Sequence, residues 1–295
     1  MPYQVKDNKW NNHGCASATV VKLVAAVIMT MDHLGAYGFE LPGIRNHTDM
    51  LRLVGRISAP VFLYLFVESL RYTHDKIKLL RRVYVAALCT GITNIFVSVC
   101  LGYRIAFGNI FQSYFWVAYM VCFLEYVILR IKEGEKCPAI RITFSGILLI
   151  VGLITLDRML VQYNVLVYIL DTDNEWIYFI RNIICTVCFS PVTVEYSLLF
   201  IGLGVVWYFQ TSKIQRCIVL IILCALSFFG IGNNEICLIF ISGNQWAMIG
   251  AIVLIILYNG QYGSGLKYFF YVYYPAHCYL IACLQCFYLK WACFE

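Results

Sequence analysis

Hydrophobic residues fall in helix-length blocks along this chain, and the polar residues that interrupt them are few and unevenly placed. Blocks at about 18–38, 50–70, 83–103, 108–130, 142–157, 195–209, 217–232, 236–257 and 268–289 are near-continuous apolar runs, without the alternation of a half-buried strand. Runs of about 20 apolar residues match the hydrocarbon thickness of a bilayer. A shorter stretch, 176–190, contains Arg181 and Asn182 and is followed by Pro191. The pattern predicts an all-α polytopic transmembrane helix bundle of about nine to ten spans, nine if 176–190 re-enters and ten if it crosses.

Charge orients the helices. Arg71, Lys76, Lys78, Arg81 and Arg82 make the most basic loop, which places it, and the N-terminus, in the cytoplasm. Arg130, Lys132, Lys136 and Arg141 mark the same side, whereas Asp157, Asp171, Asp173 and Glu175 stand against Arg158 alone in a loop expected outside. Lys213 and Arg216 face inward in the nine-span reading and outward in the ten-span one. Charge favours nine; the matching of depths below favours ten, which is preferred.

Composition agrees with the pattern. The chain is 61% hydrophobic and 13% charged, where soluble domains carry about 25% charged residues. Residues 1–295 read as one membrane-embedded domain with a polar tail at 1–17, and that tail lacks the parts of a cleaved signal peptide. The bilayer is its solvent, so any chemistry lies within the membrane or at its edge. The net charge of +6 is mostly loop lysine and arginine, which fits membrane orientation and not nucleic-acid binding. Fourteen cysteines include Cys185-x-x-Cys188 and Cys283-x-x-Cys286, which could make a thiolate metal site if their helices met. Their apolar surroundings disfavour thiolates, so they are expected as packing residues, and no metal is expected.

Against this background three residues stand out in the first block: Lys22, Asp32 and His33. A charge at mid-membrane costs about 2.5–3.5 kcal/mol on insertion scales. Lys22 and His33 fall about 20° apart on a helical wheel and share a face, while Asp32 points about 100° away and needs a partner from another helix. The second block supplies Arg52 and Arg56 at i, i+4, then Pro60, expected to kink the helix, and Glu68. Counting from the outer ends puts Asp32 and Arg56 each about 9 Å deep, so an Asp32–Arg56 pair is expected. That pair is either glue between two helices or the frame of a site containing His33. Asn94, Asn109, Gln112 and Glu125 are the buried-polar candidates of the middle blocks, and the amides are expected to bond between helices. At the other end, Leu257-Tyr-Asn259-Gly260 and a glycine-rich loop lead into Lys267 and then His277, with Tyr273 and Tyr274 at its i−4 and i−3 positions and Pro275 beside it. In the ten-span reading His277 lies near the level of His33. It is either satisfied by a neighbouring carbonyl or part of a site.

Four blocks carry a resemblance: Lys22 to Gly35 with Met-Asp-His-Leu-Gly, Arg52 to Pro60 with Leu-Val-Gly-Arg-Ile-Ser-Ala-Pro, Leu257 to Gly260, and Lys267 to His277 with Phe-Tyr-Val-Tyr-Tyr-Pro-Ala-His. In these the chain resembles the TraX family, conjugal-transfer membrane proteins linked to N-acetylation of F-type pilin. Glu68 followed by Tyr72-Thr73 is similar as well; Ser197 departs from the family's Asp-Tyr-Gly at Glu195-Tyr196. The resemblance implies a membrane acetyltransferase of the bacterial cytoplasmic membrane. Its donor substrate would be acetyl-CoA and its acceptor an amine, on a peptide or pilin N-terminus. Such a reaction needs a base and something to hold the oxyanion. The expected catalytic residues are His33, His277 and Asp32; Arg56, Arg52, Lys22, Glu68, Asn259, Lys267 and Tyr274 are expected to contact substrates. Two other readings stay open. One is an acyltransferase acting on a glycan or lipid. The other is a transporter or assembly factor, since membrane Asp, His and Arg also mark proton relays, although no inverted repeat is visible.

Overall fold

The computed structural model describes residues 14–101, 107–169, 175–228, 245–263 and 267–292, which are all-α. In chain order the helices are α1 (Ala18–Tyr37), α2 (Thr48–Gly55), α3 (Ser58–Tyr72), α4 (Lys76–Leu101), α5 (Ile110–Lys132), α6 (Lys136–Ile169), α7 (Glu175–Val187), α8 (Ser197–Phe209), α9 (Lys213–Phe228), α10 (Ala251–Leu257) and α11 (Lys267–Ala292). Five stretches have the length and apolarity of membrane spans: Ala18–Tyr37, Arg45–Tyr72, Lys76–Leu101, Ile110–Lys132 and Lys136–Leu160. Leu198–Phe209 and Gln245–Leu257 are apolar but shorter. The stretch that divides the nine-span from the ten-span reading folds as α7, whose 13 residues reach about 20 Å against a core of about 30 Å. Asp171, Asp173, Gly265 and residues 236–244 lie outside the described residues.

The basic stretch expected as a loop is mostly the start of α4, with Lys76, Lys78, Arg81 and Arg82 on the helix, and two further boundaries differ from the sequence expectation. α6 runs for 34 residues, so Asp157 and Arg158 sit on a helix and not in a loop, and Asp157 is buried. From Leu153 to Ile169 there is neither glycine nor proline to stop the helix, and the charges alone do not break it. The second is the expected helix over 50–70, which is two helices. α2 ends at Gly55, Arg56 and Ile57 form a turn, and Ser58 Oγ donates to the Gly55 carbonyl at 2.8 Å. Pro60 lies in the first turn of α3, where its missing N–H has no helical acceptor to lose. It therefore starts a helix and does not kink one.

The chain divides into two compact units. The second, 72–205, holds α4 to α7. Its first helix is capped by Asp75, whose Oδ1 accepts the Lys78 backbone N–H at 2.9 Å; that bond holds the Asp75 carboxyl below the ordinary carboxylate range. Lys76 pairs with Glu125 at 2.5 Å, and Asn109 Nδ2 donates to the Ala87 carbonyl at 2.9 Å. Asn109 thus bonds between helices, as expected of the amides, and Glu125 does so through an ion pair.

The first unit, 3–71 with 206–295, carries α1, α2, α3, α9, α10 and α11. Its two chain segments are tied at the start of α1. Ala16 N–H donates to the Leu257 carbonyl, Asn259 N–H to the Ala16 carbonyl, and Ala18 N–H to the Gln261 carbonyl, at 2.8–2.9 Å. A side chain on Gly14 would collide with Leu257 and Tyr258. Further along, α1 meets α2 through glycines. A Cβ on Gly55 would stand 2.1 Å from the Asp32 Cβ, and one on Gly35 would stand 2.9 Å from both the Arg52 side chain and the Thr48 carbonyl. The α1–α2 approach requires both hydrogens.

Gly55→Ala should therefore destabilise the fold by about 1–3 kcal/mol through overpacking. Gly152→Ala, in a helix and with open space around it, should be neutral or stabilise by up to about 1 kcal/mol. Thermal unfolding of the two variants in nanodiscs distinguishes them; equal melting temperatures would remove the close-approach argument.

Candidate functional site

Two helices from opposite ends of the sequence bring the site together. His33 from α1 and His277 from α11, 244 residues apart, meet with Nδ1 of the first 2.6 Å from Nε2 of the second. Both are buried. Their rings stack with centroids 4.8 Å apart. His277 Nδ1 lies 2.6 Å from the Tyr273 carbonyl. A carbonyl oxygen can only accept, so His277 carries its proton on Nδ1. In the neutral ring its Nε2 is then a lone pair, and His33 Nδ1 must donate to it. The remaining nitrogen, His33 Nε2, is left as a bare lone pair with no hydrogen bond among the described residues. The chain of bonds fixes the tautomer of both neutral rings.

Aromatic rings hold this pair. Tyr273 stacks on His277 at 4.8 Å, and its hydroxyl sits 2.6 Å from Thr30 Oγ1. Thr30 in turn donates to the Ala26 carbonyl at 2.9 Å, so Tyr273 is the donor in its bond to Thr30. Tyr37 and Tyr274 flank His33 with centroids 5.4 and 6.0 Å away. The carbonyl expected for His277 satisfies one ring nitrogen, and the other nitrogen faces His33.

Asp32 lies on the next face of α1. Its ion pair is with Arg52, Oδ2 to Nη1 at 3.7 Å, and not with Arg56. The break at Gly55 is the reason: Arg56 belongs to the turn beyond the helix, whereas Arg52 remains on α2 and lays its stem across Gly35. Arg56 stays within electrostatic reach of both Asp32 and His33. Asp32 Oδ1 and Arg56 Nε are buried and have no hydrogen-bond partner.

The other expected residues lie elsewhere. Lys22 places its ammonium 5.7 Å from the centre of the Phe270 ring; the eleven residues between it and His33 correspond to about 16 Å of helix. Asn259 belongs to the clasp at the start of α1, where its Oδ1 accepts the Gln261 N–H at 2.9 Å. Lys267 opens α11, and its side chain lies outside the described residues. Glu68 forms a second cluster. Its Oε1 accepts from Arg216 Nη1 at 2.5 Å and lies 3.5 Å from Arg71 Nη1. Arg216 also donates from Nε and Nη2 to the Gln210 carbonyl, at 3.1 and 2.8 Å, with its guanidinium 5.1 Å from the centre of the Tyr64 ring. Arg216 is 1% exposed. The sequence reading counted it as a rim charge reporting on membrane side; its charge is matched inside the fold.

Two buried residues are not distinguished by the sequence. One is Arg216, an arginine at the start of an apolar run like any loop-edge cation. The other is Cys278, which adjoins His277 and was passed over for the paired cysteines. Its sulfur lies 3.1 Å from His33 Nδ1 and 3.8 Å from His277 Nε2.

The family model described as TraX protein matches residues 17–165, half of the chain. The chain belongs to the TraX family. The match takes in His33, Asp32, Arg52, Arg56 and Glu68 and ends before α11, so the family's model covers one half of the histidine pair. TraX is associated with F-pilin acetylation. No curated protein and no solved structure matches the chain.

Removing one partner from a buried ion pair strands the other. Glu68→Ala should cost about 3–5 kcal/mol, read as a lowered unfolding temperature in nanodiscs. A variant as stable as the parent would mean that Gln210 and Tyr64 suffice for Arg216.

Proposed function

We propose that this protein is an acetyl-CoA-dependent N-acetyltransferase of the bacterial cytoplasmic membrane, with His33 as its general base. The observation that carries the reading is the hydrogen-bonded His33–His277 pair, which leaves His33 Nε2 unprotonated; Asp32, the preceding residue of α1, and Arg56, within electrostatic reach of His33, each bring a buried polar atom with no hydrogen bond among the described residues. An amine is nucleophilic only as the free base, so transfer requires a group that takes its proton. Nε2 has the lone pair for this, and His277 supports the positive charge that then develops on His33.

The acceptor nitrogen attacks the thioester carbonyl as Nε2 removes its proton. The C–S bond then breaks, and the coenzyme A sulfur leaves with the proton that His33 has collected. A base, an anion and a donor suit the three parts of this reaction. Asp32 Oδ1 is a buried anionic oxygen in need of a donor, and an acceptor ammonium or amine N–H supplies one. Arg56 Nε is a buried donor in need of an acceptor, and an oxyanion supplies that. Tyr274 and Tyr37 wall the imidazole of His33. Arg52 holds Asp32 in place. The family's association with pilin makes a peptide N-terminus the acceptor of choice; a glycan or lipid amine has the same nitrogen chemistry.

His33→Ala and His277→Ala should each lower coenzyme A release with a peptide amine by at least about 10²-fold. Thermal unfolding in nanodiscs should show both variants folded. A folded His33→Ala protein with the parent's turnover would sink the assignment. If the parent neither binds acetyl-CoA by calorimetry nor releases coenzyme A, the transporter reading replaces it.

A further inference from the structure

We infer that His33, His277 and Cys278 form a binding site for one divalent metal ion of the zinc class, and that occupancy of this site shuts off transfer. The second half of this statement rests on the acyl-transfer reading; the first does not.

The three donor atoms, His33 Nδ1, His277 Nε2 and Cys278 Sγ, lie within 4.8 Å of one another, and all three residues are buried. Two imidazoles and a thiol are a soft set that suits zinc and leaves a fourth position open. The spacings are 2.6 Å between the nitrogens, and 3.1 and 3.8 Å from sulfur to nitrogen. Tetrahedral bonds to zinc would set these at about 3.4 Å and about 3.6 Å. Less than about 1 Å of ring movement reaches that arrangement. The outer support of a metal-bound histidine is already present, because His277 donates its other N–H to the Tyr273 carbonyl. Tyr273 is in turn anchored through Thr30. Charge is not prohibitive. Arg52 and Arg56 act on His33, but Asp32 and a Cys278 thiolate offset them.

Proton balance explains the inhibition. The thiol gives its proton to solvent. His277 keeps its proton on Nδ1. His33, coordinated at Nδ1, carries its single proton on Nε2, so the atom that would accept the amine proton no longer has a lone pair. The metal also replaces the His33–His277 hydrogen bond. Cys278 takes no part in transfer itself, so the two properties can be separated by mutation.

The test uses the full chain in nanodiscs. Cobalt(II) alone, a visible stand-in for zinc, should bind in one equivalent and give a thiolate-to-cobalt absorption band that zinc(II) abolishes. Cys278→Ser and Cys278→Ala should lose the band, while Cys286→Ser, buried on the same helix, should keep it. Zinc(II) at about ten times its Kd should lower transfer by about 10-fold in the parent, from occupancy alone. It should change transfer less than about 2-fold in a folded Cys278 variant of undiminished basal rate. No band in the parent, or a band unchanged without Cys278, overturns the site. A band with transfer insensitive to zinc overturns the inhibition. A band in a protein that transfers nothing supports the metal site and counts against the acyl-transfer reading alone.

Discussion

α1, with its buried Asp32, and α2, with its partly exposed Arg52, approach where side chains are missing. Gly55 and Gly35 provide that room, and the candidate site depends on it. With Gly55 against Asp32 and the Arg52 stem across Gly35, the rotation of α1 about its axis is set. Asp32 is fixed towards α2, and the neighbouring His33 is thereby turned towards α11. The Asp32–Arg52 pair is half open to its surroundings on the arginine side, with Arg52 31% exposed and Asp32 8%. Its modest strength as an ion pair matters less than the orientation it helps enforce.

The same contact explains an apparent waste. Asp32 Oδ1 and Arg56 Nε have opposite character and lie in one neighbourhood, yet each goes without a hydrogen bond. Arg52 occupies the other carboxylate oxygen, and the break after α2 keeps Arg56 off that helix. Buried polar atoms are normally satisfied, and exceptions call for an explanation. Here both orphans accompany a histidine whose outer nitrogen is equally unsatisfied. In the Glu68 cluster Arg216 donates from all three of its nitrogens, and the unsatisfied atom there is an amide oxygen, Gln210 Oε1, and not a charged group.

Much of this was legible in the sequence, for physical reasons. α1 was read at 18–38 and spans Ala18–Tyr37, because its apolar run is bounded by polar residues on both sides. His33 and His277 could be matched by depth, since helix rise is constant. What failed were inferences that ignore local chemistry. Asp32 was paired with Arg56 because depth counting assumed an unbroken helix; Gly55 followed by a turn could not be told from a helical glycine. Pro60 was read as a kink when it marks a start. Arg216 was read as a rim charge, because burial of an arginine depends on a glutamate 148 positions away. Cys278 was unremarkable in sequence because its partner sits 245 residues earlier.

The clasp between residues 16–18 and 257–261 has a consequence for how the protein is made. α1 leaves the ribosome well before α11, so a helix bearing Asp32 and His33 enters the bilayer before its later neighbours exist. Arg52 follows soon after and can shield the carboxylate early in synthesis. His33 has no such early companion. Its hydrogen-bond partner and the backbone that ties down the start of its helix both arrive with residues 257–277. The site is therefore assembled only once α11 has been made, and a chain cut short before α11 is inserted without it.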